Sequence, residues 1–263
     1  MSRSALLSIY GRSKRLIAPT LAHSQQVYEQ VLREHVTPGS VWLDLGCGHQ
    51  ILPAWREAEE RLLVKNCEAI VGLDYDMPSL KAHRNISLRV RGDIGKLPFK
   101  QDTFDLVTAN MVVEHLDDPA IQFREVQRVL KPNGIFIFHT PNAHGYFTLM
   151  RRMVPEIINK QLVQLLDGRE AGDIFEIQYK ANTRKQIDLL AADVGLDVIK
   201  LRLIVTDAVF SVVPPIMLFE LMWIRALMTK PLEAIRTNII GILKKPNQSE
   251  AVSSPEPIAY PQH

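Results

Sequence analysis

Residues 41 to 50, Val-Trp-Leu-Asp-Leu-Gly-Cys-Gly-His-Gln, constrain the fold more than any other stretch of the chain. The short apolar run has the length and composition of a buried strand. Open α/β sheets place ligand-binding groups at the carboxyl ends of their strands, where Asp44 stands. Gly46 and Gly48 carry no Cβ, so the backbone can turn sharply and approach a ligand closely. The stretch therefore predicts a small-ligand site at a strand end.

The residues around this turn narrow the class of ligand. A helix is expected over residues 52–65, and its N-terminal amides would favour an anionic group on the ligand. A dinucleotide fold would need Gly-x-Gly-x-x-Gly, but the turn has no third glycine, and no Lys-Ser or Lys-Thr follows to make a P-loop. Asp44 would repel a pyrophosphate but suits a ligand that carries an ammonium group and a sulfonium.

Strand and helix patterns alternate along the chain. A second apolar run ends in Asp74, 30 residues after Asp44, which is the length of one strand–helix–strand unit. Asp74 is placed to accept hydrogen bonds from both hydroxyls of a ribose. The alternation predicts a parallel sheet covered on both faces. Further strand candidates are residues 87–91 (nearer the sheet edge), 104–109, 135–139, 196–205 and 238–243.

Two insertions interrupt this alternation, and we expect them to cap the ligand end of the sheet. They span residues 141–180 and 207–236, within a domain over residues 1–246, and a disordered tail is expected over 247–263. Residues 208–228 are the most apolar stretch. Because Pro214-Pro215, Glu220 and Arg225 interrupt it, a lid or a helix lying on a membrane surface is favoured over a membrane span.

The amino-acid composition is ordinary for a globular protein and excludes few functional classes. The chain has 263 residues, 46% of them hydrophobic and 23% charged, and a net charge of +2 that favours no nucleic-acid partner. Two cysteines provide no disulfide framework, which favours a reducing, cytoplasmic compartment. The first 28 residues carry four basic and no acidic residues, which suits a basic arm or, less well, a transit peptide.

Six short motifs together resemble the class I S-adenosylmethionine-dependent methyltransferases. Within that family the chain is most similar to the small-molecule, lipid and glycan methyltransferases related to the ubiquinone O-methyltransferases. The resemblance covers residues 25–142 and extends more weakly over 178–245. The motifs are Val-Trp-Leu-Asp-Leu-Gly-Cys-Gly at 41–48, Val-Gly-Leu-Asp-Tyr-Asp at 71–76, Arg-Gly-Asp-Ile at 91–94, Phe-Asp-Leu-Val at 104–107, Val-Val-Glu-His-Leu-Asp-Asp-Pro at 112–119 and Arg-Val-Leu-Lys-Pro-Asn-Gly at 128–134.

The resemblance implies a Rossmann-like, doubly wound α/β fold with seven strands in the order 3-2-1-4-5-7-6, the last strand antiparallel, and helical insertions. It also implies S-adenosyl-L-methionine as the cofactor. The glycine turn and the end of the fourth strand would contact the methionine moiety, the second acidic residue the ribose, and the following residues the adenine. The residues so implied are Asp44, Gly46, Cys47, Gly48, Asp74, Tyr75, Met77, Asp93, Ile94, Asn110 and Met111.

The chain departs from the family pattern at two positions. Gln50 replaces a glycine found in many members, so the detailed geometry of the turn is open. Some quinone methyltransferases bind a metal through Glu-x-x-Glu-His, but Met111 replaces the first Glu here. No metal is therefore predicted.

The candidate general base is His115, because a neutral imidazole can take the proton from a hydroxyl acceptor. Glu114 and His115 could instead hold a loop in place, and His139 and His144 are expected to be packing or surface residues. The apolar insertions favour O-methylation of a hydrophobic, lipid-linked, glycan or quinone-like molecule, with membrane contact through residues 208–228. The alternatives are a non-catalytic protein that binds S-adenosylmethionine and, less favoured, a nicotinamide-dependent oxidoreductase.

Overall fold

Seven strands form a single sheet within residues 3–153 and 177–247, the part of the chain that the computed structural model describes. Their order, β3-β2-β1-β4-β5-β7-β6, confirms the expected topology. β7 is antiparallel to both of its neighbours, and the pairs among β1 to β5 are parallel. The strands are β1 (Val41–Leu45), β2 (Ala69–Asp74), β3 (Leu88–Arg91), β4 (Phe104–Asn110), β5 (Leu130–Pro141), β6 (Asp197–Ile204) and β7 (Asn238–Lys244).

Local capping signals start and end several helices. Asp118 Oδ1 accepts from the Ile121 amide at 3.2 Å, Thr183 Oγ1 accepts from the Gln186 amide at 3.2 Å, and Gly195 ends a helix at φ +73°. The helices are α1 (Arg3–Ile17), α2 (Ser24–His35), α3 (Glu57–Lys65), α4 (Met77–Ala82), α5 (Pro119–Val129), α6 (Tyr146–Met153), α7 (Arg184–Val194) and α8 (Pro214–Leu227), with 3₁₀ turns at Ala54–Arg56, Val113–His115 and Lys230–Ile235.

Both faces of the sheet are buried, which explains why its central strands read as nearly continuous apolar runs. One face packs against α5 and α7, with Phe123, Phe136 and Phe138 at its centre. The other packs against α2, with Tyr28 and Trp42 fully buried. Ligand-binding groups can therefore be reached only at the ends of the strands.

The prediction of one helix over residues 52–65 was wrong at its N-terminal end. The α-helix begins at Glu57, because Pro53 has an extended backbone and a 3₁₀ turn at Ala54–Arg56 follows it. The Leu52 amide instead donates to Glu60 Oε2 at 2.8 Å. Trp55 and Leu62 are exposed, whereas Leu52 and Leu63 are buried. The α3 N-terminal amides consequently start well after the glycine turn.

The two insertions contribute α6 and α8. Most of the first insertion, including residues 156–166, for which the sequence pattern also predicts a helix, lies outside the described residues, as does the tail after residue 247. α8 packs against α1 through Met217, Leu221 and Ile224 in a separate apolar cluster. Within the described ranges, the structure contains no helix of the length and apolar character needed to cross a membrane.

The close contact of Gly241 with Phe138 across the β5–β7 pair yields a stability prediction. An ideal Cβ on Gly241 would lie 2.3 Å from Phe138 Cζ, a ring atom held in the core. We expect Gly241→Ala to lower the free energy of unfolding by about 1–3 kcal/mol, because the ring must leave its packed position. Urea unfolding measures the loss. The control is Gly39→Ala, which meets no atom within 4 Å, and equal urea midpoints for the two variants would contradict the prediction.

Candidate functional site

The glycine turn after β1 has the geometry that its residues allow. Gly46 and Gly48 have φ of +59° and +51°, in the left-handed region that favours glycine. An ideal Cβ on Gly46 would lie 2.5 Å from Val112 Cγ2, whereas one on Gly48 would meet nothing within 4 Å. A side chain at position 46 would therefore collide with Val112, whereas the space beside Gly48 is open. Between them, the buried Cys47 donates its amide to Leu73 O at 3.2 Å.

Asp74, at the end of β2, is hydrogen-bonded to this turn. Its Oδ2 accepts from the Gly48 amide at 2.9 Å, and its Oδ1 accepts from the Asp76 amide at 2.9 Å. A carboxylate oxygen can accept more than one hydrogen bond, so both oxygens retain capacity for a ligand hydroxyl. The structure therefore brings together Asp74 and Gly48, an acidic residue and a glycine that the sequence places in the ligand site.

Asp44, near the end of β1, is buried. Its carboxylate is buried and accepts from the Thr108 hydroxyl, which in turn accepts from Trp42 Nε1 at 2.7 Å. Burial raises the pKa of Asp44 to about 7, the nearby Glu60 and Asp74 carboxylates add to the rise, and the Thr108 hydrogen bond opposes it. A cation bound close to Asp44 would favour its ionised form.

The rim of the site is formed at the ends of β2 and β3. Tyr75 is 56% exposed and Met77 is also exposed, so both side chains are accessible to a flat aromatic ligand. Asp93 is exposed and its Oδ1 accepts from the Gly95 amide at 2.8 Å, while Ile94 beside it is half-buried. Their assignment to the adenine stays a prediction.

Asn110, at the end of β4, has its side chain engaged within the protein. Its Nδ2 donates to Gln25 Oε1 and to Ile51 O, both at 2.9 Å, and its Oδ1 accepts from Gln25 Nε2 at 3.1 Å. The side chain thereby links α2 to the loop that follows the glycine turn. Met111 next to it has φ +58° and donates its amide to His139 O at 2.8 Å.

His139 is a packing residue, in agreement with the expectation from sequence. It is fully buried, and its Nδ1 lies 2.9 Å from Asn110 Oδ1 while Nε2 lies 3.2 Å from Asn238 Nδ2. The ring stacks on Tyr28 with centroids 5.6 Å apart. Burial lowers the pKa of His139 to about 3, so the imidazole is neutral at physiological pH and both nitrogens are occupied.

His115 lies in the 3₁₀ turn after β4 and is partly accessible, with its Nε2 3.9 Å from Glu114 Oε1. Glu114 itself is buried and accepts from the Thr140 hydroxyl at 2.9 Å. Its main-chain oxygen accepts from the Gln178 amide at 2.8 Å, where the chain returns from the first insertion. Glu114 thus has a structural role, and His115 is the neighbouring group that stands closer to solvent.

Three residues that support the site were not singled out from the sequence. Thr108 could have been noticed as the polar member of an apolar strand. Gln25 and Glu60 carry no such signal, since both stand among the polar residues of amphipathic helices. Glu60 is fully buried and accepts from the Leu52 amide at 2.8 Å and from Asn85 Nδ2 at 2.6 Å, which holds the loop after the turn.

Comparisons with known proteins agree with this geometry. Residues 43–138, which contain the glycine turn, Asp74 and His115, match the family model described as a methyltransferase domain. The chain is 37% identical over 117 residues to a demethylmenaquinone methyltransferase of Corynebacterium kroppenstedtii, covering 43% of this chain and 48% of that protein. It is 33% identical over 172 residues to a malonyl-[acyl-carrier protein] O-methyltransferase of Legionella pneumophila, covering 63% of this chain and 58% of that protein. The chain spans about half the length of these curated relatives.

Solved structures support the same fold. A methyltransferase from Methanosarcina mazei described as S-adenosylmethionine-dependent superimposes with a TM-score of 0.55 at 16% identity, over 83% of this chain and 98% of that one. One from Mesorhizobium loti superimposes with a TM-score of 0.52 at 16% identity, over 85% and 98%. Residues 43–138 therefore match a methyltransferase domain, and the strand order is the one expected for the class I S-adenosylmethionine-dependent methyltransferases.

Proposed function

We propose that this protein transfers the methyl group of S-adenosylmethionine to an oxygen of a hydrophobic acceptor. The observation that carries the proposal is the hydrogen bond between the Gly48 amide and Asp74, at an open turn that follows the buried Asp44 at the end of β1. This arrangement offers oxygens that accept hydrogen bonds from hydroxyl groups and a buried carboxyl that a cation would ionise, within one strand-end site, which matches a nucleoside that also carries cationic groups.

The residues fit this cofactor in defined roles. Asp74 would accept from the ribose hydroxyls, and Asp44 would stabilise the positive charge of the methionine moiety. Tyr75 and Met77 would pack against the adenine, and Asp93 would accept from its amino group. When bound, the cofactor supplies a methyl group activated by a sulfonium.

The protein's own contribution is alignment of the two substrates and exclusion of water. For a hydroxyl acceptor, a base must also take the proton, and we assign this role to His115. His139 is unsuited to it because both of its nitrogens are already hydrogen-bonded in the core. His115 stands at the end of β4 and is partly accessible.

The acceptor pocket is proposed to lie between the two insertions. Tyr146, at the start of α6, donates its hydroxyl to Glu220 Oε1 of α8 at 2.8 Å, so the two insertions are joined. The apolar character of both favours a hydrophobic, lipid-linked, glycan or quinone-like acceptor. The names of the relatives, a demethylmenaquinone methyltransferase and a malonyl-[acyl-carrier protein] O-methyltransferase, support this range. Two free cysteines support a reducing, cytoplasmic location.

Calorimetric titration with S-adenosylmethionine tests the function. We expect the wild-type chain to bind it and Asp74→Ala to bind at least tenfold more weakly, because charge-assisted hydrogen bonds to the ligand are lost. Asp188→Ala, the same change at an exposed position of α7, is the matched control. Binding of a nicotinamide dinucleotide in place of S-adenosylmethionine would contradict the proposal. Binding without methyl transfer to a panel of demethylated quinones and carrier-linked acyl groups would favour the non-catalytic alternative.

The role of His115 is tested by His115→Ala. If His115 is the base, turnover of a hydroxyl acceptor should fall by about 10²–10⁴-fold, the usual contribution of general base catalysis, while cofactor affinity stays constant. Single-turnover rates and calorimetric affinities separate these quantities. A parallel fall in affinity and rate would show a structural role instead. His35→Ala is the control for the loss of an imidazole. His35 ends α2, whereas Gln25 near the start of that helix contacts Asn110 at the site.

The raised pKa of Asp44 predicts a proton-linked binding step. Below about pH 7 the carboxyl is largely protonated, so binding of a cationic ligand must release a proton. We expect affinity for S-adenosylmethionine to increase as pH rises from about 5.5 to 7.5. Asp44→Asn should remove this increase. Calorimetry in buffers of different ionisation enthalpy measures the released proton directly, and an affinity independent of pH in the wild type would contradict the assignment.

The same shift affects the stability of the unliganded protein. An unfolded aspartate ionises near pH 3.8, whereas Asp44 stays protonated to about pH 7 when folded, so the folded state binds more protons between these values. Its contribution to the free energy of unfolding therefore decreases as pH rises through that window. Asp44→Asn should flatten this dependence in urea unfolding.

A further inference from the structure

His23, the residue directly before α2, lies between the loop after the glycine turn and the start of the second insertion. Its ring is nearly perpendicular to that of Trp55, in the 3₁₀ turn that follows the glycine turn, with ring centroids 5.2 Å apart. The next residue, Ser24, donates its amide to the Thr206 hydroxyl at 3.3 Å, directly before that insertion. Gln25 then accepts from the last residue of β4. In this position the His23 side chain is partly accessible.

The strand order places His23 on the opposite side of the glycine turn from Asp74. β1 lies between β2, which ends in Asp74, and β4, whose end contacts Gln25. β5 is parallel to β4, and both β5 and β6 are antiparallel to β7, so β6 ends at the same edge as β4. The chain continues from β6 through Thr206 into the second insertion. His23 is therefore next to the proposed pocket for the methyl acceptor and not next to the ribose site.

A hydrogen bond from the backbone of α2 fixes the tautomer of His23. The Gln25 amide donates to His23 Nδ1 at 3.2 Å. Because a backbone amide can only donate, Nδ1 is the unprotonated nitrogen, and the proton of the neutral ring is on Nε2. Within residues 3–153 and 177–247, Nε2 has no hydrogen-bond partner. The ring therefore offers a donor that the described part of the protein leaves free for a ligand.

The groups around the ring keep it neutral. Burial lowers the pKa of His23, the Asp207 carboxylate opposes this shift, and the Lys14 ammonium adds to it. Asp207 and Lys14 form an ion pair, so their effects on the ring largely cancel. Protonation would also place a hydrogen on Nδ1, where the Gln25 amide already donates. His23 is thus a hydrogen-bond donor through Nε2, and it has no free nitrogen with which to act as a general base.

The position of this donor favours a neutral oxygen as its partner. An Nε2–H group can donate to a carbonyl, a hydroxyl or a carboxylate oxygen. The Asp207 carboxylate, close enough to affect the charge of the ring, would repel a carboxylate such as that of the methionine moiety. The oxygen that attacks the methyl group needs its lone pair for the new bond, so a donor bonded to it would slow the transfer. A second, neutral oxygen of the methyl acceptor remains.

We propose that His23 donates a hydrogen bond from Nε2 to a second, neutral carbonyl or hydroxyl oxygen of the methyl acceptor. This inference rests on the proposed function and narrows the class of its substrate. Quinone-like and glycan molecules carry such an additional oxygen, whereas a single hydroxyl on a hydrocarbon does not. A site built to bond an oxygen discriminates against an analogue that lacks it, because the donor is then left unpaired.

The tautomer can be tested without cofactor or methyl acceptor. Long-range ¹H–¹⁵N spectra of the full chain distinguish imidazole rings protonated on Nε2 from those protonated on Nδ1. We expect His23 to be protonated on Nε2 near pH 7.5, and its signals are identified by their loss in His23→Asn. Protonation on Nδ1 would overturn the inference, whatever the outcome of methyl-transfer assays.

Two substitutions separate the donor from the helix cap. Asn can cap α2 through its side-chain oxygen but has no donor at the position of Nε2, whereas Gln places an amide nitrogen near that position and is a poor cap. The probes are 4-octylcatechol, which has a second hydroxyl, and 4-octylphenol, which lacks it. We expect the wild type to bind the catechol about tenfold more tightly in calorimetric titrations, the equivalent of one hydrogen bond.

His23→Asn should remove this preference at an unchanged urea midpoint and an unchanged affinity for S-adenosylmethionine. His23→Gln should keep the preference and lower the urea midpoint, because the cap is lost. His35→Asn, the same change at the other end of α2, is the matched control and should alter neither the preference nor the cofactor affinity.

Three further results would contradict the inference. These are a wild type that does not prefer the catechol, including one that binds neither probe, an undiminished preference in His23→Asn, and a fall in the affinity of His23→Asn for S-adenosylmethionine. The last result would assign the donor to the methionine carboxylate. Failure of the proposed function is distinguishable, since it would appear as absent cofactor binding or absent methyl transfer while the catechol preference persists.

Discussion

The hydrogen bond from the Gly48 amide to Asp74 is the contact on which the site depends. It ties the turn after β1 to the end of β2, two strands paired in parallel register from Val41 and Ala69 onward. Both glycines of the turn have positive φ, and a carboxylate at the end of β2 can accept from the Gly48 amide while still accepting from a ligand.

Buried carboxylates provide much of the remaining order, each with a different function. Glu60 holds the loop after the glycine turn, Glu114 accepts from the Thr140 hydroxyl of β5, and Glu220 joins α8 to α6. Asp44 differs because its pKa is raised by burial and by neighbouring acids, so it is the carboxyl whose charge a bound cation would change most. Structural and functional acids are thus distinguished by their hydrogen-bond partners rather than by their position in the sequence.

Some elements of the fold could be predicted from the sequence, and others could not. The alternation of strands and helices was predictable because the motifs at 41–48 and 71–76 fall at the spacing of strand–helix units, and the resemblance of these motifs to a known family implied the strand order. The start of α3 was not predictable, because the extended backbone at Pro53 and the hydrogen bond from the Leu52 amide to Glu60 are set by the tertiary structure. The hydrogen bond between the Asn110 side chain and Gln25, 85 residues earlier, likewise has no signal in the local sequence.

The sequence by itself determined the fold class, the glycine turn and the identities of the acidic residues at the strand ends, because these depend on local backbone preferences and on regular spacing. Only the tertiary structure decided which groups are buried, paired or exposed. The burial of Asp44 beside Thr108, and the packing of His139 between Asn110 and Asn238, join segments 64 and 99 residues apart. Likewise, only the packing of α1 against α8 decides which face of α8 is buried. Desolvation and charge pairing arise from such distant contacts, which no local pattern encodes.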